Sequence, residues 1–368
     1  MIVARTDPLD ADARARLQLI RTSSVGPVTY RHLIARFGTA QAAVEAIPDL
    51  ARRGGGRLPR VPNHSEIAHE IETVAALGAR HLFLGREDYP ALLAETEDAP
   101  PALIAAGDVS LPARPAVALV GARNASAAAV RFARQLGHDL AGLGYVVISG
   151  LARGIDTAAH RGAFQGGTIG VVAGGIDIFY PPENEALQRE MAAHGLVLSE
   201  QPPGTEPHAR HFPSRNRIIA GLALGTVVVE AAPRSGSLIT ARLAAEYGRE
   251  VMAVPGSPLD PRAQGCNLLI REGATLIQSA SDVAEMLQPF GGGHVSAPAG
   301  TYAPDQPAED VSERERRDIA ALLGPVPVPV DELVRQSGTG PAAVQTVLLE
   351  LELAGRLMRH AGGRVSLN

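Results

Sequence analysis

The sequence has 368 residues, of which 45% are hydrophobic, and a formal net charge of −5. This length predicts two or three domains with at least one sizeable core, and the acidic balance excludes a cationic sheath over the whole surface. The single cysteine excludes an internal disulfide, and the absence of lysine excludes Schiff-base chemistry and a Walker A phosphate loop. There is no run of 18 apolar residues and no hydrophobic signal core, so we expect a cytoplasmic protein without a membrane partner.

Residues 1–75 are predicted to form an all-helical domain. Short helical runs lie at LQLIRT, VTYRHLIARF and AQAAVEAI, and the turn Val25-Gly26-Pro27 separates the first two. A hydrophobic-glycine turn between short helices is typical of helix-hairpin-helix modules, whose backbone N–H groups contact a phosphate. Such a turn is as common in small helical domains whose helices pack together without binding a phosphate. The residues leave both interpretations open.

Residues 76–288 are predicted to form an α/β domain, a doubly wound, mainly parallel sheet of the extended Rossmann-like type. Two strands enter it at HLFL and ALIAAGD. Short β-branched runs then alternate with helical segments, which is typical of a parallel sheet with helices on both faces. The runs are AVALVG (116–121), YVVISG (145–150), TIGVVAG (168–174), LVLSE (196–200), TVVVEA (226–231), VMAVPG (251–256) and TLIQS (275–279).

The C-terminal part is predicted to be a linker followed by a winged helix. Residues 289–310 are rich in Gly, Pro and Ala and lack periodicity, whereas residues 311–368 contain three helical segments and two short strands about a Gly-Gly turn. The third helix, 341–354, has no basic residue and carries Glu350 and Glu352. We therefore predict that it does not read duplex DNA in the usual way and instead binds protein or regulates access to the main domain.

The carboxyl ends of the predicted strands carry glycines and arginines. Ligands bind at this edge of an open parallel sheet, where glycine allows close backbone approach and a following helix points free N–H groups at an anion. The Ser-Gly-Ser turn fits this description best, with Arg123, Arg153 and Arg234 as candidate counter-charges. The predicted anion-binding residues are Gly121, Gly150, Gly154, Ser235, Gly236 and Ser237.

A cationic segment precedes the strand at 226–231. No Asp or Glu occurs from Pro207 to Val229, and Arg215-Asn216-Arg217 stands at the start of a helix with an apolar face. Most surface arginines are simply solvated and bind no ligand. Two arginines at a helix N-terminus near the glycine-rich edge, however, favour a phosphate clamp. Because only 4% of the residues are aromatic, a long stacking platform is disfavoured. The pattern predicts a short pocket for single-stranded nucleic acid.

Other kinds of site are disfavoured. The nicotinamide-dinucleotide fingerprint is missing, since the first main strand ends in G-A-R-N-A-S, and no cofactor is expected. His208 and His211 alone are weak candidates for a metal site, so no metal is expected. A carboxylate such as Glu230 or Asp156 more often pairs with an arginine or caps a helix than it catalyses a reaction. No catalytic residue is assigned.

These segments together resemble the DNA-processing protein A (DprA/Smf) family over roughly residues 80–288. The motifs that carry the resemblance are VALVGARNAS, VVISGLARGIDTAAHRGA, GGIDIFYPPEN, LSEQPPGTEPHARHFPSRNRIIAGL, VVVEAAPRSGSLITARLAAEYGREVMAVPG and GCNLLIREGA. The N-terminal helices resemble the sterile-alpha-motif-like (SAM-like) or helix-hairpin-helix extension of that family. The C-terminal segment resembles its winged-helix appendage.

The resemblance implies a recombination mediator without enzymatic activity. Members bind and protect incoming single-stranded DNA during natural transformation of competent cells. They form a homodimer through the Rossmann-like domain and load the RecA recombinase. By motif, the DNA-contacting positions include Arg123 and the segment 212–217. The full predicted DNA-binding set is Arg123, Arg153, Arg210, Phe212, Ser214, Arg215, Asn216 and Arg217.

Two alternatives remain. Phosphoribohydrolases, which share a Rossmann-like fold, hold a nucleotide phosphate in a glycine-rich turn and use an acid for glycosidic cleavage, and Glu230 near Ser235 could imitate that pair. Against this, their Pro-Gly-Gly-x-Gly-Thr turn is Pro-Arg-Ser-Gly-Ser here. A DNA-binding regulator acting through the winged helix is the other alternative, which the acidic third helix disfavours.

Overall fold

The computed structural model describes residues 9–287, 311–360 and 362–368. These residues form two units, a central unit from residue 70 to 287 and a terminal unit that contains residues 9–69 together with those from 311 onward. The division falls within helix α4 (His64–Ala76). The predicted linker 289–310 lies outside the described residues. Among the helices of the described ranges, none has both the length and the apolar character needed to cross a bilayer.

The central unit is built on one sheet, to which nine strands of the described residues belong, in the order β1-β2-β6-β5-β4-β3-β7-β8-β9. Neighbouring strands are parallel except for the pairs β1–β2 and β2–β6, so the mainly parallel sheet is confirmed. The strands are β1 (Arg80–Phe83), β2 (Ala102–Gly107), β3 (Ala116–Gly121), β4 (Val146–Ser149), β5 (Thr168–Val172), β6 (Leu196–Ser199), β7 (Gly225–Val229), β8 (Glu250–Ala253) and β9 (Thr275–Leu276).

Helices cover both faces of this sheet. Along β3, Val117 and Leu119 pack under helices α6 and α7, whereas Ala118 and Val120 belong to the core under α9, α10 and α11. Because both faces are buried, the strands are apolar throughout instead of alternating. The helices are α5 (Ala91–Ala94), α6 (Ala127–Gly142), α7 (Ile155–Ala163), α8 (Glu185–His194), α9 (His211–Leu222), α10 (Ser237–Glu246), α11 (Gln264–Arg271) and α12 (Ala280–Leu287).

The order of the strands reverses between β3 and β7, which are parallel neighbours. The chain leaves β3 toward one side of the sheet and leaves β7 toward the other, so the turns after these strands diverge and open a crevice at the carboxyl edge. This is the switch point at which open α/β sheets bind ligands. The fold therefore places the predicted ligand edge around the ends of β3, β4 and β7.

The terminal unit contains the predicted N-terminal helices and the predicted winged helix. Its strands pair in the order β10-β12-β11, and Ser312 and Glu315 form a capping box at the start of α13. The helices are α1 (Ala11–Ile20), α2 (Pro27–Phe37), α3 (Ala40–Arg53), α13 (Glu313–Ala321), α14 (Val330–Ser337) and α15 (Pro341–Leu353). The strands are β10 (Val328–Pro329), β11 (Leu357–His360) and β12 (Arg364–Leu367).

Helix α15 belongs to two cores at once. Val344 and Val347 pack in the winged-helix core, whereas Leu349 and Leu353 pack with the N-terminal helices. The contact is close, since a Cβ atom on Gly54 at the end of α3 would lie 2.0 Å from the carbonyl oxygen of Glu350. The sequence-based boundaries treat 1–75 and 311–368 as separate domains, but in the structure their helices share a core. A helix that is apolar on several sides is typically buried.

Candidate nucleic-acid interface

A cavity of about 330 Å³ lies at the carboxyl ends of β3, β4 and β5. The turns after these strands and the first turns of α9 form its lining, as expected from the parallel register of the sheet. Backbone and apolar groups of Gly150, Val172 and Gly174 contribute part of the surface. The charged, amide and aromatic side chains that line it are Arg123, Asn124, Arg153, Tyr180, Phe212 and Arg215.

One wall of the cavity is a stack of a cation and two rings. The Arg123 guanidinium lies over the Phe212 ring, 4.9 Å from its centroid, and the Tyr180 ring packs tilted against Phe212 at 5.7 Å. Tyr180 remains 48% exposed despite its size. A guanidinium on an aromatic face contributes roughly 0.5–2 kcal/mol, depending on desolvation. This wall presents flat, polarisable surfaces on which a nucleobase could stack.

The floor of the cavity holds a buried and incompletely paired cation. Arg215 is 7% exposed, and its Nη1 lies 3.9 Å from Oδ2 of Asp156. Its Nε–H has no acceptor within the described residues. Burial lowers the pKa of Arg215 to about 10, with Asp156 opposing and Arg123 adding to that shift, so the guanidinium is charged at neutral pH. A buried cation without a full set of acceptors attracts an anion strongly.

Asp156 is only partly available to Arg215 because it also closes the turn after β4. Its Oδ2 accepts the backbone N–H groups of Gly150 at 3.1 Å and Ala152 at 3.3 Å. Burial raises the pKa of this carboxyl, against the opposing effects of Arg215 and the two N–H donors. Asn184 supports the same turn by donating to the Leu151 carbonyl oxygen at 2.8 Å. The turn geometry is therefore fixed by buried polar contacts.

Three predicted glycines are closely approached by other groups of the protein. A Cβ atom at Gly150 would lie 1.2 Å from Nη1 of Arg215, so only glycine leaves room for the guanidinium. Gly154 has φ +76°, and a Cβ there would lie 2.3 Å from the Ala122 carbonyl oxygen. Gly121 is closed in similarly, since its Cβ would lie 2.5 Å from the Val229 carbonyl oxygen. These glycines admit neighbouring groups of the protein itself.

Arg217 lies away from the cavity, although it is only two positions from Arg215. It is 9% exposed, it is ion-paired with Glu200, and it donates to the carbonyl oxygen of Asp98. Burial lowers the pKa of Arg217, but Glu200, Asp98 and Tyr247 outweigh that effect and raise it. Residues two apart do not share a helix face. The predicted phosphate clamp of Arg215 and Arg217 is therefore absent, and Arg217 is paired within the protein.

Three further residues of the predicted DNA-binding set lie on the first turns of α9 outside the cavity lining. Arg210 is exposed, and its Nε lies 3.3 Å from Nε2 of His211. Ser214 Oγ donates to the Arg210 carbonyl oxygen at 3.3 Å. Asn216 Nδ2 donates to the Gly236 carbonyl oxygen at 3.2 Å, which ties α9 to the Ser-Gly-Ser turn. Arg210 is the one of these three with a cationic group exposed to solvent.

The Ser-Gly-Ser turn opens α10 beside the site. The hydroxyl oxygens of Ser235 and Ser237 are 2.7 Å apart and hydrogen-bonded to each other, and Ser237 is buried. Neither side chain lines the cavity. Anion binding at this turn stays a prediction, and the bond from Asn216 to Gly236 is its connection to the site.

Two further charged candidates, Glu230 and Arg153, are paired within the protein. Glu230, which has φ +68°, accepts the Ser126 N–H at 2.7 Å before α6 and lies 3.7 Å from Nε of Arg262. The expectation that this carboxylate caps a helix and pairs with an arginine is confirmed. Arg153 forms an ion pair with Glu183 in which both side chains are about 60% exposed.

Two histidines of the cationic segment were weak candidates for a metal site. The rings of His208 and His211 lie 5.3 Å apart. Throughout the part of the chain that the structure describes, no three His, Cys, Asp or Glu side chains converge as a metal site would require.

Two groups of residues, one at the cavity and one on α6, were not predicted from the sequence. Tyr180 and Asn184 lie in YPPEN, where no periodicity pointed to them, and only proximity in the fold brings them to the site. Arg131, Arg134 and His138, by contrast, have helical spacing that would have placed them on one face of a helix. That row lies on α6, outside the cavity.

Three family profiles match the chain and together cover most of it. The profile described as DNA recombination-mediator protein A matches residues 80–288. The profile described as DprA-like N-terminal HHH domain matches residues 10–73, and the DprA winged helix domain matches residues 303–363. The order of these matches is the order of segments expected from the motifs.

Individual relatives agree with the profiles. The DNA processing protein DprA of Streptococcus pneumoniae is 49% identical over 197 residues, which is 53% of this chain and 70% of that protein. The crystal structure of DprA from Streptococcus pneumoniae matches with a TM-score of 0.58 at 42% identity, covering 61% of this chain and 78% of the other. A structure of Helicobacter pylori DprA, which concerns the single-stranded DNA binding mode of that protein, matches with a TM-score of 0.52 at 30% identity, covering 57% and 95%.

The main profile spans more than half of the chain, and the curated relative from Streptococcus is matched over more than two thirds of its length. The fold and the site agree with this assignment, since the matched segment is the central unit with its cationic, aromatic cavity. The chain belongs to the DNA recombination-mediator protein A family, whose members are called DprA or Smf.

Proposed function

We propose that this recombination mediator holds single-stranded DNA in the cavity at the carboxyl edge of its central sheet and acts without catalysing a reaction. The observation that carries the proposal is the pairing of a buried, incompletely satisfied Arg215 with the Arg123–Phe212 wall. The cation suits a phosphate, and the wall suits a base. One nucleotide unit presents both groups.

The size of the cavity favours a single strand over a duplex. A volume of about 330 Å³ is near the lower limit of small-molecule sites, which leaves room for an unstacked nucleotide but not for paired strands. Unstacking costs little for a strand that has no partner. Binding at this edge of the central unit requires only a few phosphate contacts. A protein with a net charge of −5 can supply these from a local patch of arginines.

Family membership supports the remaining parts of the proposal. The Helicobacter pylori DprA binds single-stranded DNA, and this chain shares the corresponding domain. We extend the family role to loading of RecA during natural transformation, to a homodimer formed through the central unit, and to action in the cytoplasm. The loading step is tested by the rate of RecA assembly on single-stranded DNA. We expect wild-type protein to increase this rate and Arg123→Ala protein to leave it near the rate of RecA alone.

Binding is tested by fluorescence anisotropy with single- and double-stranded oligonucleotides of the same sequence. We expect Arg123→Ala and Arg215→Met each to weaken single-strand binding by about tenfold or more, since each loses a charge-assisted contact of roughly 1.5–3 kcal/mol. Arg242→Ala, on the exposed side of α10, is the matched control and should bind as wild type. Wild-type affinity in both cavity variants at physiological salt would refute the site.

The enzymatic alternative makes a separate measurement possible. Glu230 accepts the Ser126 N–H and lies beside Arg262, so the carboxylate is engaged within the protein. We therefore expect purified protein to release no free base from nucleoside monophosphates. Release that is abolished by Glu230→Gln would replace the mediator role with a hydrolase.

A further inference from the structure

A second cationic surface lies on helices α6 and α7, outside the cavity. Arg131 and Arg134 are three residues apart on α6 with His138 one turn further on, and Arg161 is in the last turn of α7. Side chains at this spacing lie on one face of a helix. All four line a groove of about 750 Å³, hereafter the arginine groove.

Two glycines bring the helices close enough to form this groove. A Cβ atom on Gly162 would lie 2.0 Å from the Arg134 carbonyl oxygen and 3.0 Å from the His138 nitrogen. On the other helix, a Cβ atom on Gly137 would lie 2.7 Å from the Ala159 carbonyl oxygen. The two helices therefore pack with their backbones in close contact, and Arg134 and Arg161, which stand at this contact, both line the groove.

The arginines of the groove have little compensation from the protein. Across the described residues, no carboxylate forms an ion pair or hydrogen bond with Arg131, Arg134 or Arg161, and all three are exposed. Glu190 is the acid that lines the groove, which leaves an excess of positive charge there. In a chain of net charge −5, such an excess is a local attraction for a polyanion.

The arginine groove is continuous with the cavity. Arg153 lines the cavity and also a depression of about 350 Å³, which Arg134 and Arg161 line as well. Those two arginines in turn line the groove. Cationic side chains thus lead from the nucleotide cavity over the N-terminus of α7 to the outer face of α6.

We propose that the arginine groove binds the sugar-phosphate backbone of the same single strand, beyond the nucleotides held in the cavity. This inference rests on the proposed function, because continuity with the cavity is what selects a single strand as the occupant. The groove contributes phosphate contacts from Arg131, Arg134 and Arg161, so its contribution is independent of base sequence. It lengthens the occupied site without requiring further bases to leave the stack.

The test compares short and long oligonucleotides. The variant Arg131→Ala/Arg134→Ala/Arg161→Ala removes the groove cations and keeps the cavity intact. With a strand of about four nucleotides, at the short end of single-strand site sizes and centred on the nucleotide in the cavity, we expect wild-type affinity. With about 30 nucleotides we expect binding about tenfold weaker and a slope of log K against log salt that is smaller in magnitude by about 2, from the loss of three phosphate contacts.

A control with the same change of charge separates the groove from net charge. Arg80→Ala/Arg242→Ala/Arg271→Ala removes three exposed arginines from β1, α10 and α11, and should leave the salt slope for long strands unchanged. The groove proposal would be overturned if both triple variants changed the affinity and salt slope for long strands equally. It would also be overturned if the groove variant bound long strands with wild-type affinity. Failure of wild-type protein to bind either strand would overturn the cavity proposal as well.

Discussion

Two buried arginines on one helix occupy opposite environments. Arg215 is 7% exposed at the floor of the cavity, and Arg217 is 9% exposed in a pocket lined by Glu200, Asp98 and Tyr247. Burial is almost the same, but Arg217 has a close carboxylate and a carbonyl acceptor, whereas Arg215 has a carboxylate at 3.9 Å that two N–H groups share. Pairing, rather than burial, distinguishes an arginine that stabilises the fold from one that is available to a ligand.

The largest expected effect follows from Arg217. Replacing it by Met removes the Arg217 cation from the partly buried Glu200, and breaking such an ion pair costs up to about 3–5 kcal/mol of the free energy of unfolding. Single-strand affinity per folded molecule should stay at the wild-type value. Chemical denaturation followed by circular dichroism, with anisotropy below the transition, measures both quantities.

Arg215→Met is the matched variant for that prediction. Because Arg215 is poorly paired, its removal should change the free energy of unfolding by only about 1 kcal/mol while it weakens DNA binding. If Arg215→Met unfolded as readily as Arg217→Met, the contrast between the two regions would disappear. Partial recovery of stability in Arg217→Met/Glu200→Met would confirm that loss of the Arg217 cation from the Glu200 carboxylate is the cause.

The pH dependence of stability gives a second, smaller effect in the region of Arg215. Burial, and then the charge of Arg215, lower the pKa of His160 from 6.5 to about 3. The neutral ring is therefore the folded form, while the unfolded chain takes up a proton below pH 6.5, so this contribution is complete above pH 6.5 and is lost as pH falls toward 3. At pH 5 the loss amounts to ~2 kcal/mol.

His160→Gln isolates that contribution from those of other groups. His32 in the terminal unit shifts in the same direction, with its pKa lowered to about 4, so the whole chain becomes less stable in acid. The difference between wild type and His160→Gln in the free energy of unfolding should narrow from pH 7 to pH 5. A difference that is constant over this range would mean that His160 titrates normally in the folded protein.

The smallest effect belongs to the exposed pair at the rim of the cavity. Glu183→Ala releases Arg153 from an ion pair whose partners are 61% and 59% exposed. Exposed pairs contribute little, so the free energy of unfolding should change by no more than about 0.5 kcal/mol. The released guanidinium should tighten single-strand binding slightly, about twofold. Weaker binding in this variant would show that Glu183 orients Arg153 toward the strand.

Much of the central fold could be predicted from the sequence. The run 116–121 is confirmed as β3 (Ala116–Gly121), because an unbroken apolar stretch between turn residues has few alternatives in an α/β chain. The antiparallel pairing of β2 with β6 could not be predicted, since about ninety residues separate these strands along the chain and no local pattern records the pairing. Strand existence is local information, whereas strand order is set by tertiary packing.

The site shows the same division. Parallel strands bring their carboxyl ends together, so Arg123, Gly150 and Arg215 were predicted at one edge and line one cavity. The period of the helix could have separated Arg215 from Arg217, because two residues correspond to about 200° of rotation. The partner of Arg217 could not have been predicted. Glu200 follows a different strand, and its position depends on the packing of α9 against the sheet.

The shared core of the terminal unit has a consequence for the synthesis of the chain. The N-terminal helices are translated first, yet Leu349 and Leu353, which complete their core, arrive roughly 290 residues after α3 ends. At translation rates of about 5–20 residues per second, the apolar surface around Ile47 and Leu50 stays exposed for some tens of seconds before α15 is synthesised. A nascent chain therefore exposes a chaperone-accessible patch at its beginning until its last helix has left the ribosome.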